Sequence, residues 1–186
     1  MGFLKQPNLP DSFGPFAALR QSLGFVPGLF LAQSLKPEYI EAEVQLVSVI
    51  SREDKLSRRQ KESIAVVCSA ANLNTYCVTS HCEMLKGMGV DEEEMTQIAV
   101  DHHYADLPPA EVALLDFALK LNGHGGQIAA ADIDALRRHG FSDEQILEAI
   151  AMTAYTGFFN TLSFGLGVLP DFEPKPLRRA KASDTR

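Results

Sequence analysis

The chain has 186 residues, of which 46% are hydrophobic and 22% charged, a composition typical of a globular domain. Its net charge of −7 argues against a nucleic-acid-binding protein, and no apolar run is long enough to span a bilayer. The first residues lack the pattern of a signal peptide, and three cysteines, an odd number, indicate free thiols in a reducing compartment. We therefore expect a single-domain cytoplasmic protein with no nucleic-acid or membrane partner.

The N-terminal segment is predicted to be an extended arm. Residues 1–15 are rich in proline and glycine, and a domain of residues 16–172 follows. Apolar periodicity then predicts three helices, at residues 16–23, 27–34 and 37–50. On the third helix the apolar residues, Tyr39 and Leu46 among them, recur on one face, so Glu38, Glu41 and Glu43 are expected to face solvent.

The first of two central helices is predicted at residues 57–71. Ser57 and Gln60 form a capping box at its start. The helix is then apolar on nearly all sides, so we expect it to lie in the core, with Arg58 in a solvated first turn. Glu62 is a carboxylate within this apolar run, and a buried carboxylate requires a partner.

The second central helix carries the candidate catalytic residues. Asn74 is a favoured N-cap residue, which places Cys77 in the first turn and His81 one turn further along the same face. A helix N-terminus and a neighbouring histidine both lower the pKa of a thiol, and the thiolate is the reactive form. If the joint folds Glu62 back against this helix, then Cys77, His81 and Glu62 supply a nucleophile, a base and an orienting group. The opposing interpretation is that Cys77 is a buried, unreactive small hydrophobe.

Residues 101–104, Asp-His-His-Tyr, are a second candidate site. Neighbouring residues of a regular element point in different directions, so His102 and His103 are not expected to share a metal ion. We expect them at the surface or in a subunit contact. The chain contains no His-x-x-x-His or Cys-x-x-Cys spacing, so no zinc site and no metal ligands are predicted.

The second half of the chain repeats the pattern of the first without its chemistry. Further helices are predicted at residues 92–100, 108–121 and 132–138. Ser142 and Gln145 then form a second capping box ahead of an apolar helix. Aligning the two copies pairs Cys77 with Leu162, so this half is expected to serve packing. Its apolar face is predicted to be core or subunit contact and comprises Phe158, Phe159, Leu162, Phe164 and Leu166.

No window has the alternating pattern of a strand, so the predicted fold class is all-α, a bundle of about eight helices with two related halves. The abundance of apolar helix faces favours a homo-oligomer. A basic C-terminal tail is predicted at residues 173–186, and its default interpretation is a solvated terminus.

A family resemblance rests on Glu62 and the later run Asn74-x-x-Cys77-Val-Thr-Ser-His81. This pattern resembles the motif of the alkylhydroperoxidase D-like and carboxymuconolactone decarboxylase superfamily. The runs at residues 76–81, 114–118 and 165–168 are most similar to its uncharacterised peroxidase-related branch. The resemblance implies an all-helical fold of that type and catalytic roles for Glu62, Cys77 and His81, with Asn74 and Tyr76 lining the site. It also implies a small-molecule substrate, a hydroperoxide, and no cofactor.

The chain departs from that family at one position. Family members carry a Cys-x-x-Cys pair that cycles between dithiol and disulfide, and Asn74 stands where the first cysteine would be. Cys82 is a candidate substitute, but five residues of helix separate it from Cys77 by about 7.5 Å along the axis, so a disulfide would require the helix to unwind. Two further candidates for the resolving thiol are Cys68 on the preceding helix and an external thiol that reacts with a sulfenic acid on Cys77.

Three functions from different classes stay open on the sequence. The first is a thiol-dependent, peroxidase-related oxidoreductase of the alkyl hydroperoxide reductase type, in which His81 and Glu62 activate Cys77 and an external thiol supplies electrons. The second is an acid–base enzyme of the carboxymuconolactone decarboxylase type, which uses His81 and Glu62 without redox chemistry. The third is a non-catalytic oligomeric protein on the same fold.

Overall fold

The computed structural model describes residues 2–174, and over this range the chain forms nine α-helices and two short 3-10 turns with no strand. The all-α prediction is therefore confirmed. The α-helices are α1 (Gly14–Leu23), α2 (Gly28–Leu31), α3 (Pro37–Ile50), α4 (Arg58–Ala71), α5 (Thr75–Gly87), α6 (Glu92–Asp101), α7 (Pro109–His124), α8 (Ala130–Arg138) and α9 (Asp143–Leu166). The 3-10 turns are His102–Tyr104 and Gly125–Gln127. From residue 175 onward the predicted basic tail lies outside the described residues.

Helix α4 lies at the centre of the bundle and packs against α5, α6, α7 and α9. Its residues from Lys61 to Ser69 are all buried, as its apolar composition predicts. Lys61 is accommodated because its Nζ donates to the Arg52 carbonyl at 2.7 Å and pairs with a Glu148 carboxylate oxygen at 2.9 Å. The same carboxylate accepts the Leu56 backbone N–H at 2.9 Å, so the segment before α4 is fixed to α9. Among the described helices, none combines the length and apolar character that crossing a membrane requires.

Both predicted capping boxes are confirmed. The Ser57 hydroxyl accepts from the Gln60 backbone N–H at 3.2 Å, and the Gln60 side chain accepts from the Ser57 N–H at 3.0 Å. The Ser142 and Gln145 pair at the start of α9 repeats this arrangement at 3.2 and 2.9 Å. The two helices that begin this way, α4 and α9, pack against each other across the core.

The joint between α4 and α5 is tight and depends on Asn74. Leu73 adopts a left-handed conformation with φ +57°, which reverses the chain within a few residues. Asn74 then caps α5 as predicted, because its Oδ1 accepts from the Cys77 N–H at 2.9 Å. Its Nδ2 donates to Ser163 Oγ at 2.7 Å and to the Asn160 carbonyl at 3.1 Å. A single buried amide therefore fixes the start of α5 to α9.

The inward face of helix α3 differs from the predicted one. Glu43 is buried rather than solvated, since α3 packs its inner side against α1 and α9 and Glu43 lies on that side. The carboxylate accepts a hydrogen bond from Gln33 Nε2 at 2.7 Å, and burial raises its pKa. Tyr39 and Leu46, whose spacing predicts the inward face of this helix, are exposed instead.

The segment before α1 packs against the end of α9 and the turn before α3. The Phe3 N–H donates to the Leu166 carbonyl at 2.7 Å, and the Leu35 N–H donates to Gln6 Oε1 at 2.8 Å. Gly167 ends α9 in the left-handed region with φ +63°, and a Cβ there would lie 2.5 Å from the Phe3 ring. Glycine at this position thus allows both the turn after α9 and the approach of the arm.

We predict that Gly167→Ala lowers the free energy of unfolding by about 1 kcal/mol or more, because alanine is strained at positive φ. Gly157 is the matched control, since it lies inside α9 and a Cβ there meets no neighbour within 4 Å. Gly157→Ala is expected to stabilise by roughly 0.5–1 kcal/mol through helix propensity. Urea denaturation measures the free energy of unfolding of both variants, which should fall for Gly167→Ala and rise for Gly157→Ala. Equal stabilisation by the two substitutions would contradict the role given to Gly167.

Candidate active site

A cavity of about 110 Å³ lies where α4, α5 and α9 meet the segments before α3 and after α9. Most of its wall is apolar, with side chains such as Leu19, Leu29, Phe30 and Phe159. The polar and ionisable residues that line it are Ser51, Arg58, Glu62, Tyr76, Cys77, Ser80, His81, Tyr155 and Asp171. A small apolar cavity with a few polar groups is the usual form of a site for a small molecule.

Glu62 and His81 form a close pair in this cavity. The Glu62 Oε2 atom lies 2.6 Å from His81 Nδ1, and Oε1 accepts from Arg58 Nε at 2.6 Å. Glu62 is 1% exposed. Burial disfavours its charge, but the His81 and Arg58 contacts outweigh burial and lower the pKa of the carboxyl. In the tautomer that donates its Nδ1–H to Glu62, the His81 ring keeps a lone pair on Nε2, and this atom has no hydrogen-bond partner within residues 2–174.

Arg58 is a site residue that the sequence analysis missed. The sequence pattern predicts a solvated side chain, yet the Arg58 side chain extends one turn forward along α4 to the buried Glu62. The available signal was the i,i+4 spacing of a basic and an acidic residue on a predicted helix. Its consequence for the site is that Glu62 keeps its negative charge beside His81.

Cys77 lines the cavity in the first turn of α5, but it is a protonated thiol at rest. The side chain is 3% exposed, and burial raises the pKa of the thiol to about 12, although the neighbouring Ser163 and Ser69 hydroxyls act in the opposite direction. This direction is opposite to the lowered pKa that the thiol-redox interpretation predicts, because desolvation outweighs the helix N-terminus. In the described part of the chain no hydrogen bond joins Cys77 to His81, although both residues line the same cavity.

Asn74 and Tyr76 have different positions relative to the cavity. Asn74 lies behind Cys77, where it acts as the α5 cap, and it does not line the cavity. The Tyr76 hydroxyl lies in the wall, accepting from the Leu29 N–H at 3.1 Å and donating to Asp171 at 2.7 Å. Asp171 also accepts the Gly28 N–H at 3.0 Å. These contacts hold the segment after α9 against the cavity.

The other two cysteines lie away from the cavity. Cys82 is half-buried beside a separate pocket with Val78 and Glu83, and burial followed by the Glu83 charge raises its pKa to about 11. Cys68 is buried in the core, with its sulfur 3.7 Å from the Ala118 carbonyl oxygen. All three thiols are free. The structure does not bring Cys82 to Cys77, so Cys77 is the sole cysteine in the cavity wall among residues 2–174.

Tyr155 of α9 is a second cavity residue that sequence reasoning missed. Within the described chain its hydroxyl has no hydrogen-bond partner, and burial together with the Glu62 charge raises its pKa. The hydroxyl is therefore a protonated donor available to a bound molecule. The sequence signal was a tyrosine within the apolar run of α9, since a buried tyrosine hydroxyl ordinarily has a partner.

We predict that alkylation of Cys77 by iodoacetamide accelerates about tenfold per pH unit between roughly pH 7 and 10, because the thiolate fraction of a group with a pKa of about 12 is still rising there. Mass spectrometry with fragment-ion localisation follows the rate at this residue. The same chain unfolded in urea is the control and should reach a plateau near the ordinary cysteine pKa. A plateau below pH 8 in the folded protein would contradict the assignment of a protonated resting thiol.

The chain is similar in sequence and fold to known proteins. The model of the carboxymuconolactone decarboxylase family matches residues 37–120, which include Glu62, Cys77 and His81. A peroxidase-related protein of uncharacterised function from Ralstonia eutropha, with an alkylhydroperoxidase core, is 32% identical with a TM-score of 0.84, over 91% of this chain and 92% of that chain. A peroxidase-related protein from a Silicibacter species, also uncharacterised, is 27% identical with a TM-score of 0.85, over 91% of this chain and 92% of that chain.

A further solved structure shares the fold alone. The debrominase Bmp8 is 23% identical with a TM-score of 0.79, over 92% of this chain and 94% of that chain. No curated protein matches the chain. The family model, the 32% identity and the shared helical architecture together show that the chain belongs to the alkylhydroperoxidase D-like and carboxymuconolactone decarboxylase superfamily.

Proposed function

We propose that the protein is a thiol-dependent oxidoreductase that reduces a small, largely apolar hydroperoxide. The observation that carries this proposal is that Cys77 and the His81–Glu62 pair line one apolar cavity. A nucleophile, a base and an orienting carboxylate are the three groups that thiol chemistry requires. The peroxidase-related relative at 32% identity supports the same class of reaction.

The first step follows from the raised pKa of the Cys77 thiol. Because Cys77 is protonated at rest, its proton must leave as the sulfur attacks, and His81 Nε2 is the available base. The sulfur attacks the terminal peroxide oxygen, an S–O bond forms and the O–O bond breaks. The alkoxide that leaves takes the proton from His81 and departs as an alcohol, while Cys77 becomes a sulfenic acid. Glu62 stabilises the transient imidazolium through its hydrogen bond to Nδ1.

The thiol is then restored by an external thiol reductant. One thiol condenses with the sulfenic acid to a mixed disulfide and releases water, and a second thiol frees Cys77 and leaves as the external disulfide. This route follows from the position of Cys82 and Cys68 outside the cavity and from Asn74 in the place of a resolving cysteine. The cycle needs no metal or organic cofactor.

Tyr155 has a role in the same step. Its hydroxyl lies in the cavity without a protein partner among the described residues and close enough to Glu62 to respond to its charge. We assign it as the donor to the oxygen that becomes the alkoxide, where negative charge develops as the O–O bond breaks.

The second candidate is an acid–base reaction of the decarboxylase type, carried out by His81 and Glu62 alone. Two observations favour it: the raised pKa of the Cys77 thiol and the lack, among the described residues, of a hydrogen bond between Cys77 and His81. The two candidates differ in their dependence on Cys77.

We also propose that the protein works as a homo-oligomer. Large apolar side chains are exposed on α3 and α9, and a monomer rarely exposes many of them. They are Tyr39, Leu46 and Val49 on α3 and Leu147, Phe158 and Phe164 on α9.

We predict that Cys77→Ser abolishes reduction of cumene hydroperoxide with dithiothreitol as reductant, because the hydroxyl cannot form the sulfenic acid. His81→Gln is expected to lower kcat/KM by about 10²–10⁴, the usual contribution of a general base. A coupled peroxide-consumption assay measures both variants. Cys82→Ala, outside the cavity, is the control and should keep the wild-type rate. Undiminished turnover by Cys77→Ser together with loss in His81→Gln would replace the redox proposal with the acid–base candidate.

We predict that Tyr155→Phe lowers kcat by about 10-fold or more with little change in KM, since the lost donor acts on charge that develops in the transition state. The melting temperature should stay close to wild type, because the hydroxyl has no partner to lose in the described chain. Tyr39→Phe, an exposed tyrosine on α3, is the matched control. An unchanged kcat in Tyr155→Phe would remove this residue from the reaction.

A further inference from the structure

Two histidines outside the cavity converge on one carboxylate. His102 Nε2 lies 3.0 Å from Asp116 Oδ1, and His103 Nε2 lies 3.1 Å from the same oxygen. The two rings lie side by side, with centroids 4.2 Å apart and an interplanar angle of 36°. The expectation that neighbouring histidines point apart is wrong here, because α6 ends at Asp101 and the chain passes into the 3-10 turn facing α7.

We propose that His102 Nε2, His103 Nε2 and the Asp116 carboxylate bind a divalent cation of the zinc type. This site is independent of the proposed oxidoreductase function, since none of its residues lines the active-site cavity. Ligand atoms at about 2.0–2.1 Å from a tetrahedral zinc ion lie roughly 3.3 Å apart, and the two nitrogen–oxygen distances to Asp116, 3.0 and 3.1 Å, are close to that spacing.

Asp101 supplies the outer support that histidine ligands ordinarily have. Its Oδ1 lies 3.1 Å from His103 Nδ1 and accepts the His103 backbone N–H at 3.3 Å. A ligating histidine typically donates its second ring N–H to a carboxylate, which fixes the tautomer and turns the other nitrogen to the metal. Asp101 lies near both histidines, since one possible ligand atom from each of Asp101, His102 and His103 lies within 4.8 Å of the other two.

The two carboxylates beside His103 also favour a cation at this position. Both ring nitrogens of His103 face carboxylate oxygens, at 3.1 Å from Asp101 and 3.1 Å from Asp116. The negative charges of Asp101 and Asp116 would offset the charge of a divalent ion bound beside these rings.

The donor set selects the kind of metal. Two imidazole nitrogens and one carboxylate suit zinc and neighbouring transition metals, whereas magnesium and calcium prefer oxygen ligands. His103 and Asp116 are 55% and 50% exposed, so an ion can reach them from solvent. Bound there, the ion would link the end of α6 to α7.

The test is zinc titration by isothermal calorimetry on tag-free protein, treated with a chelator and kept reduced. We expect one equivalent to bind with a dissociation constant in the micromolar range or below. Asp116→Asn and His103→Gln, both at exposed or half-exposed positions, should weaken binding more than about 100-fold, and Asp101→Asn about 10–100-fold. Magnesium should not bind at this site.

Two controls separate this site from other sources of binding. Asp106→Asn removes the same charge from an exposed position on the same segment and should leave the affinity unchanged. The Cys77→Ser, Cys82→Ala double variant removes two thiols that could bind zinc, and it should still bind one equivalent of zinc. Zinc should also raise the melting temperature of the wild type and not that of Asp116→Asn. Absence of binding, or binding that survives Asp116→Asn and His103→Gln, would overturn the proposal and leave the cluster as a protonated histidine held by two carboxylates.

Discussion

The structure depends on a carboxylate, Glu62, buried in the second turn of its central helix α4. Glu62 is 1% exposed, and a charge at such a position is tolerated only when it is paired and hydrogen-bonded. Arg58 from the preceding turn and His81 from α5 each contact one of its oxygens at 2.6 Å. The pairing therefore draws α5 against α4 and fixes the orientation of the His81 ring. The neighbouring Lys61 is buried in the same way and pairs with Glu148 of α9.

The position of Asn74 links the fold to the chemistry that we propose. A cysteine there would be placed to resolve an oxidised Cys77, but it would offer the α5 terminus a much weaker acceptor. Asn74 instead accepts the Cys77 N–H and donates to Ser163 and Asn160, so α5 and α9 are held together by a buried amide. Because Asn74 replaces a cysteine that could resolve oxidised Cys77, we propose that an external thiol takes that role.

Local patterns in the sequence predict much of the fold. Capping boxes, the Asn74 cap and the apolar surface of α4 depend on residues three or four positions apart, and all of them appear as expected. Contacts between segments far apart in the sequence leave no such short-range pattern. Tyr155 meets Glu62 in the cavity from 93 residues further along the chain, and Glu43 is buried because α3 packs on α1 and α9. Glu62, Cys77 and His81 line one cavity, as the short-range pattern suggested, but the direction of the Cys77 pKa depends on burial among residues of α1, α2, α3 and α9, which that pattern does not report.

The measurement that tests the central claim most directly is the oxidation state of Cys77 after one equivalent of cumene hydroperoxide. Dimedone would trap a sulfenic acid, and fragment-ion mass spectrometry would locate the adduct among Cys68, Cys77 and Cys82. The account predicts an adduct on Cys77 that forms rapidly in the wild type and slowly in His81→Gln, with Cys68 and Cys82 unlabelled. An unlabelled Cys77, or an equal rate of labelling in the two proteins, would contradict the claim that His81 and Glu62 drive thiol oxidation in this cavity.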